Sequence, residues 1–247
     1  MSSQPEVRIA NTPVELFRNA ATEFVALASE AVRRSGRFTV ALSGGSTPKG
    51  LYALLASGTI PNIPWNKIYF FFGDERHVPP DHPDSNYRMT QETGLLSRVP
   101  TANVFRVPTE ENDADIAALA YETTLRKFFN LQPGEFPCFD LVLLGLGPDG
   151  HTASLFPGTA ALNEKNRLVV ANWIEKLQSS RITLTLPVLN QAGCVMFLVS
   201  GADKATMVRE VLQNPQANLP SQRVQPANGR LIWQLDRAAA SALPERL

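Results

Sequence analysis

Phe139-Asp140-Leu141-Val142-Leu143-Leu144 runs directly into Gly145-Leu146-Gly147-Pro148-Asp149-Gly150-His151-Thr152-Ala153-Ser154-Leu155-Phe156-Pro157. The first six residues form an apolar run whose length suits a strand buried on both faces, the mark of a parallel sheet. The three glycines that follow let the backbone turn sharply and leave Asp149 and His151 two residues apart at the strand's carboxyl end. Open parallel sheets place their chemistry at that end. An isolated histidine is usually structural. Here a glycine loop and a carboxylate that can fix the imidazole tautomer accompany a group with an ordinary pKa near 6.5, and together they point to proton transfer at neutral pH.

Gly145, Gly147 and Gly150 also spell G-x-G-x-x-G, the dinucleotide fingerprint. That motif needs a long helix starting inside it to carry a pyrophosphate, whereas Pro157 and Gly158 leave room for barely two turns, so the fingerprint is rejected.

A chain of 247 residues accommodates one large α/β domain, and residues 1–247 are read as a single domain. With 44% hydrophobic and 19% charged residues, and 23 basic residues against 23 acidic ones, no net field points to nucleic acid or to an anionic membrane. Met1-Ser2-Ser3-Gln4-Pro5-Glu6 lacks the basic and apolar segments of an export signal, and no apolar run approaches a membrane span. The expectation is a soluble, cytoplasmic protein, either a monomer or a small homo-oligomer. Cys138 and Cys194 stand in no metal or redox spacing and are read as buried thiols of a reducing compartment.

From the amino terminus, Thr12-Pro13-Val14-Glu15 reads as a capping box with proline at the first helical position, opening a long amphipathic helix that Gly36 ends. Phe38 to Leu42 predicts the first core strand. It delivers the chain into Ser43-Gly44-Gly45-Ser46-Thr47-Pro48, where Ser46 or Thr47 can cap a second helix. Strand, Gly-Gly loop and helix N-terminus make an anion cradle of free N–H groups and hydroxyls, without the spacing of a Walker A loop. Ile68 to Phe72 predicts another buried strand, which ends in Gly73-Asp74-Glu75-Arg76, three charges that are costly there without partners. The turn-rich Asp81 to Arg88 reads as a rim or lid. Ala114 to Phe129 predicts a helix, Leu168 to Val170 and Arg181 to Leu184 short strands, and Cys194 to Val199 a firm strand. The last of these opens into Ser200-Gly201-Ala202-Asp203-Lys204, where a lysine in the first turn of a helix hints at an anion nearby. Leu231 to Leu235 is a final strand, and Asp236 can cap an alanine-rich terminal helix.

This alternation predicts a mostly parallel sheet with helices on both faces. Four strands end in polar loops at one edge: 43–47, 73–76, 147–151 and 200–204. With no cysteine nucleophile, no G-x-S-x-G elbow and no His-x-x-x-His metal pair, the residues describe a metal-free site moving protons on a small phosphorylated substrate.

Those four loops, with Ser85-Asn86-Tyr87-Arg88, resemble the 6-phosphogluconolactonase family over nearly the whole chain, from about Ser43 to Trp233-Gln234-Leu235-Asp236. The resemblance implies a Rossmann-like lactone hydrolase of the oxidative pentose phosphate pathway, free of metal and of organic cofactor. It makes His151 the general base supported by Asp149. It gives substrate binding to Ser43, Gly44, Gly45, Ser46, Thr47, Asp74, Arg76 and Lys204, with Arg181 a further candidate for the phosphate. Glucosamine-6-phosphate deaminases share a similar glycine loop and an Asp-Gly-His motif. They carry Met-Asp-Glu-Tyr where this chain has Gly73-Asp74-Glu75-Arg76, and Phe-Asn-Glu-Pro where it has Ser154-Leu155-Phe156-Pro157, which puts Phe156 at the place of their acidic residue. A non-catalytic sugar-phosphate sensor is the third alternative. The few residues before the first helix are too short for the DNA-binding segment that such proteins usually carry.

Overall fold

The structure, a computed structural model, describes residues 5–244. Seven strands form one parallel sheet in the order β1 (Glu6–Ala10), β10 (Arg230–Asp236), β9 (Cys194–Val199), β6 (Leu141–Leu144), β2 (Phe38–Leu42), β3 (Ile68–Phe72) and β5 (Val104–Phe105). Every residue of β2, β6 and β9 is buried, so both faces of the sheet are covered, as their unbroken apolar runs require. The predicted α/β class is the observed one. From β2 the chain builds outward through β3 to β5, and from β6 it builds the other way through β9 to β10, beside which the first strand of the chain, β1, forms the edge. The β2–β6 boundary is therefore the point where the topology reverses and a crevice opens above the carboxyl ends.

Helix α1 (Pro13–Ser35) starts on Thr12, whose hydroxyl accepts the N–H of Glu15, and stops at Gly36 in the left-handed region (φ 74°). The Glu15 carboxylate answers at Asn11 rather than at Thr12, so the box is shifted by one residue. Helix α2 (Ser46–Ala56) corrects the predicted cap: Gly45 stands at the N-cap with φ 108°, no side chain caps the helix, and the Ser46 and Thr47 hydroxyls are left for other use. Helices α4 (Ala114–Phe129), α5 (Leu186–Asn190) and α6 (Ala205–Gln213) follow in the chain.

Other expectations are also corrected. The residues ahead of α1, for which no strand is predicted, include β1, which pairs with β10 and is tied to the body by Arg230 and Arg8, each donating to both Glu6 and Glu23. That strand alternates too weakly to be seen in isolation. The alanine-rich terminal helix is absent among the described residues; Asp236 does accept the N–H of Ala239, but only hydrogen-bonded turns follow. Cys194 is buried as expected, whereas Cys138 is exposed. The reading of Met1 to Gln4 lies outside the described residues. No helix in them is long and apolar enough to cross a membrane.

The main departure is a second sheet, antiparallel, in the order β4 (Asp74–Arg76), β8 (Ser179–Leu184) and β7 (Val169–Ile174). A single residue, Gly73, separates β3 from β4; its N–H donates to Leu42 and its carbonyl accepts from Leu184, so the small sheet rises directly from the carboxyl edge of the large one. The loop predicted at 73–76 is thus a strand. Glu75 within it is 2% exposed, and its carboxylate accepts the N–H groups of Arg76, Asn86 and Tyr87 and the Ser85 hydroxyl. The carboxylate thereby caps α3 (Asn86–Glu92), where a helix favours negative charge. Burial pushes the Glu75 carboxyl above its ordinary pKa despite these donors. Glu75→Ala would leave one buried and two part-buried N–H groups unanswered, and a loss on the order of 3 kcal/mol is expected in denaturant unfolding, with the Gln variant retaining part of it.

Candidate active site

Four of the predicted loops leave β9, β6, β2 and β3, which are consecutive neighbours in the sheet, so their ends lie side by side. Between them opens a cavity of about 250 Å³ lined by Ser43, Gly44, Gly45, Ser46, Thr47, Asp74, Arg76, His151 and Lys204. Of the residues singled out from the sequence, two stand outside its wall. Asp149 lies behind His151, and Arg181 lies beside Arg76 as its direct partner across the β4–β8 ladder.

His151 is held from several directions. Its Nδ1 lies 2.5 Å from Asp149 Oδ1, and the same oxygen accepts the His151 N–H at 3.2 Å. With Nδ1 as the donor, Nε2 keeps its lone pair. The ring stacks on Phe156 with centroids 4.0 Å apart. On another side it approaches Gly147 so closely that a Cβ there would fall 2.0 Å from Nδ1. The loop is closed by the Gly147 N–H donating to the His151 carbonyl and by the Thr152 hydroxyl donating to the Gly145 carbonyl. No α-helix starts within the loop; hydrogen-bonded turns and a 3-10 turn at Ala160–Asn163 follow it.

Burial pushes the His151 imidazole below its ordinary pKa; Asp149 and Asp74 pull it up without overcoming this, and Lys176 adds to the downward push. Burial also works against the Asp149 carboxylate, but hydrogen bonds from Lys176 and His151 outweigh it and hold that group at about 2. Asp74, 7% exposed, accepts the Ser154 hydroxyl at 2.7 Å and stays on the cavity wall.

The cradle at 43–47 is stiffened from below. The buried Tyr52 hydroxyl donates to the Ser43 carbonyl and accepts the Ser43 N–H, both at 2.9 Å. Above it, the absent side chain of Gly44 makes room for the Asn86 amide, which donates to the Asp74 carbonyl. Arg76 donates to the Asp84 carbonyl, so the turn-rich 81–88 segment is pinned to the rim. Neither Arg76 nor Arg181 has an ion-pair partner among the described residues, and Arg181 Nε is buried with no hydrogen-bond partner at all. Burial and the Arg76 charge both push the Arg181 guanidinium below its ordinary pKa. The carboxylates of Asp74, Asp84 and Glu75 act on Arg181 through space, but none forms an ion pair with either guanidinium among the described residues. Lys204 is half-withdrawn from solvent, with only the exposed Asp203 nearby at 3.6 Å.

Sequence reasoning missed Asn86 as a wall residue, although the Gly44-Gly45 pair was a signal that something approaches closely. It also missed Lys176, which arrives from a hairpin 25 residues beyond His151, a distance no local motif can reveal. Among the described residues no group of three or more His, Cys, Asp or Glu side chains is placed to hold a metal ion.

A family model described as glucosamine-6-phosphate isomerases/6-phosphogluconolactonase matches residues 11–233. The chain is 48% identical over 217 residues to a 6-phosphogluconolactonase of Nostoc sp., covering 86% of this chain and 88% of that one. It is 42% identical over 243 residues to the 6-phosphogluconolactonase of Synechocystis sp., covering 97% and 98%. The solved structure of 6-phosphogluconolactonase from Trypanosoma brucei is similar with a TM-score of 0.89 at 32% identity, covering 98% of this chain and all of that one.

The packing of His151 against Gly147 generates a direct test. Gly147→Ala must displace the imidazole from Asp149, so turnover is expected to fall by roughly 10²-fold or more, the usual value of a positioned base, while the thermal transition stays near that of the parent. Retention of full activity would show that the ring position is immaterial.

Proposed function

This chain belongs to the glucosamine-6-phosphate isomerase/6-phosphogluconolactonase family, and we propose that it hydrolyses 6-phospho-D-glucono-1,5-lactone to 6-phospho-D-gluconate within the oxidative pentose phosphate pathway. The observation that carries this reading is the imidazole of His151, held through Nδ1 by Asp149, on the wall of a cavity that also holds a helix N-terminus, Arg76 and Lys204.

A lactone carbonyl is already electrophilic, so a positioned water, a base and stabilisation of the oxyanion suffice. In this reading His151 Nε2 takes a proton from water as its oxygen bonds to C1. The tetrahedral intermediate then collapses with cleavage of the C1–O5 bond, the ring oxygen takes the proton from the imidazolium, and the carboxylic acid ionises. Asp149 keeps the tautomer and balances the transient charge. The 6-phosphate falls to the 43–47 cradle with Arg76, Lys204 and Arg181, where N–H groups, a helix N-terminus and guanidiniums favour a dianion. No step calls for a metal or organic cofactor, and activity is expected to survive exhaustive chelation. The chain acts as one lactonase domain in the cytoplasm, a placement its free thiols suit.

An amino-sugar deaminase reading is disfavoured by Phe156. Its ring lies flat against His151, so the position offers an aromatic surface where ring opening needs a carboxyl group. A non-catalytic sensor would have no use for a base so closely supported.

The deciding assay offers pure protein fresh 6-phosphogluconolactone and, separately, glucosamine 6-phosphate. Acid release from the first should exceed the spontaneous rate, with no ammonia from the second; the reverse outcome sinks the proposal. Because the imidazole pKa is depressed, kcat/KM corrected for background is expected to rise with pH to a plateau, with its midpoint below about 6.5. His151→Ala should lower kcat by roughly 10²–10⁴ with little change in KM. Arg76→Ala and Lys204→Ala should instead raise KM for the phosphorylated lactone by on the order of 1.5–3 kcal/mol and matter much less with unphosphorylated gluconolactone. Equal impairment on both lactones would remove these residues from the phosphate.

A further inference from the structure

Lys176 lies outside every motif of the sequence, yet its ammonium hydrogen-bonds Asp149 Oδ2, the oxygen that His151 does not use. It also sits 4.9 Å from the centre of the Phe156 ring on which His151 stacks. The residue occupies a short 3-10 turn, Glu175–Leu177, between β7 and β8. That turn is pinned: the Glu175 carboxylate accepts from Trp173 Nε1 at 2.8 Å and from the Gln178 amide at 3.0 Å, and the Gln178 amide also donates to the Glu175 carbonyl. Gln178 closes the turn in the left-handed region at φ 46°. So restrained, the hairpin tip aims Lys176 at the back of the catalytic loop.

An exposed ion pair is commonly worth little to stability, and this one is half in water. Its importance lies in what the shared carboxylate touches. We propose that Lys176 is a positioning residue for His151: by occupying the second oxygen of Asp149 it fixes the carboxylate against Nδ1 and tempers its charge, so that the imidazole stays neutral and ready to accept a proton. This inference rests on the reading of His151 as the base.

The charged groups acting on His151 are Asp149 of its own loop, Asp74 of β4 and Lys176 of the β7–β8 hairpin. The two carboxylates favour imidazolium, while Lys176 and burial favour imidazole. Removing Lys176 therefore raises the His151 pKa and moves the acid limb of activity to higher pH. Losing a neighbouring charge screened in this way amounts to about half a pH unit to one unit, or roughly threefold to tenfold in activity on the limb.

The test compares Lys176→Met and Lys176→Arg with the parent by two readouts. One is imidazole NMR titration without substrate, resolvable because the chain has only three histidines. The other is the background-corrected pH profile of kcat/KM with 6-phosphogluconolactone. The Met variant should show the His151 titration and the acid limb moving up together, with KM within about twofold of the parent and an unchanged thermal transition; Arg should restore both. An unmoved His151 titration in Lys176→Met overturns the proposal, as does a shift that Arg fails to reverse. A titration that moves while the kinetic limb stays put supports the Lys176 coupling and overturns the base assignment instead, so the two failures are distinct.

Discussion

Two parallel strands whose continuations run in opposite directions cannot be bridged by a crossover at their shared boundary, and the gap left above their carboxyl ends is the constraint on which this molecule depends. Here the boundary lies between β2 and β6. The loop after β2 supplies Ser43 to Thr47 of the cavity wall and the loop after β6 supplies His151, because these are the two chain segments that must leave the sheet on either side of the gap. Their neighbours β3 and β9 contribute Arg76 and Lys204 for the same reason. None of the four loops has to be long or mobile to reach the others.

The second sheet converts an open crevice into a site. Without it, the chain leaving β3 would place Asp74, Glu75 and Arg76 at the mouth of an apolar strand with nothing to answer them. Pairing β4 with β8 divides their work by side-chain alternation. Glu75 turns to the buried N-terminus of α3, whereas Asp74 and Arg76, on the other side, reach the cavity. The same pairing sets Arg181 opposite Arg76, two like charges side by side at the rim. The small sheet is also the scaffold from which the Lys176 hairpin reaches back behind His151, so one antiparallel unit touches the cavity from the rim and from the rear.

The parallel sheet and its working edge were legible because fully buried strands of β-branched and aromatic residues are conspicuous and glycine loops interrupt them sharply. Ala114–Phe129 and Cys194–Val199 are seen at their predicted bounds for this reason. What escaped was decided by long-range pairing. Asp74–Arg76 has no strand propensity and is extended only because β8 lies beside it. Glu6–Ala10 becomes a strand through β10, more than two hundred residues away. The alanines after Asp236 have high helix propensity, but among the described residues only hydrogen-bonded turns follow the cap. Within the site, charged residues were visible as a list; which of them reach the cavity was not. Asp149 and Arg181 differ from His151 and Arg76 by position around a loop or across a ladder, and spacing in sequence carries no such information.

Under the proposed reading, the environment of His151 explains how a modest set of groups can be matched to an activated carbonyl. A free imidazole beside two carboxylates would be drawn toward the charged form and spend part of its time unable to accept a proton. Burial against Phe156 opposes that pull, and Lys176 tempers the nearer carboxylate, so the Asp149 contact fixes direction with a smaller penalty in basicity. Phe156 has a second consequence. A carboxylic acid at its place would add a third acidic group around the imidazole and would supply a proton donor suited to opening a sugar ring. A phenyl ring supplies desolvation and a stacking face. With His151 as the proposed base, the same residue adds to the burial of the imidazole and stands where a different reaction on this fold would need an acid.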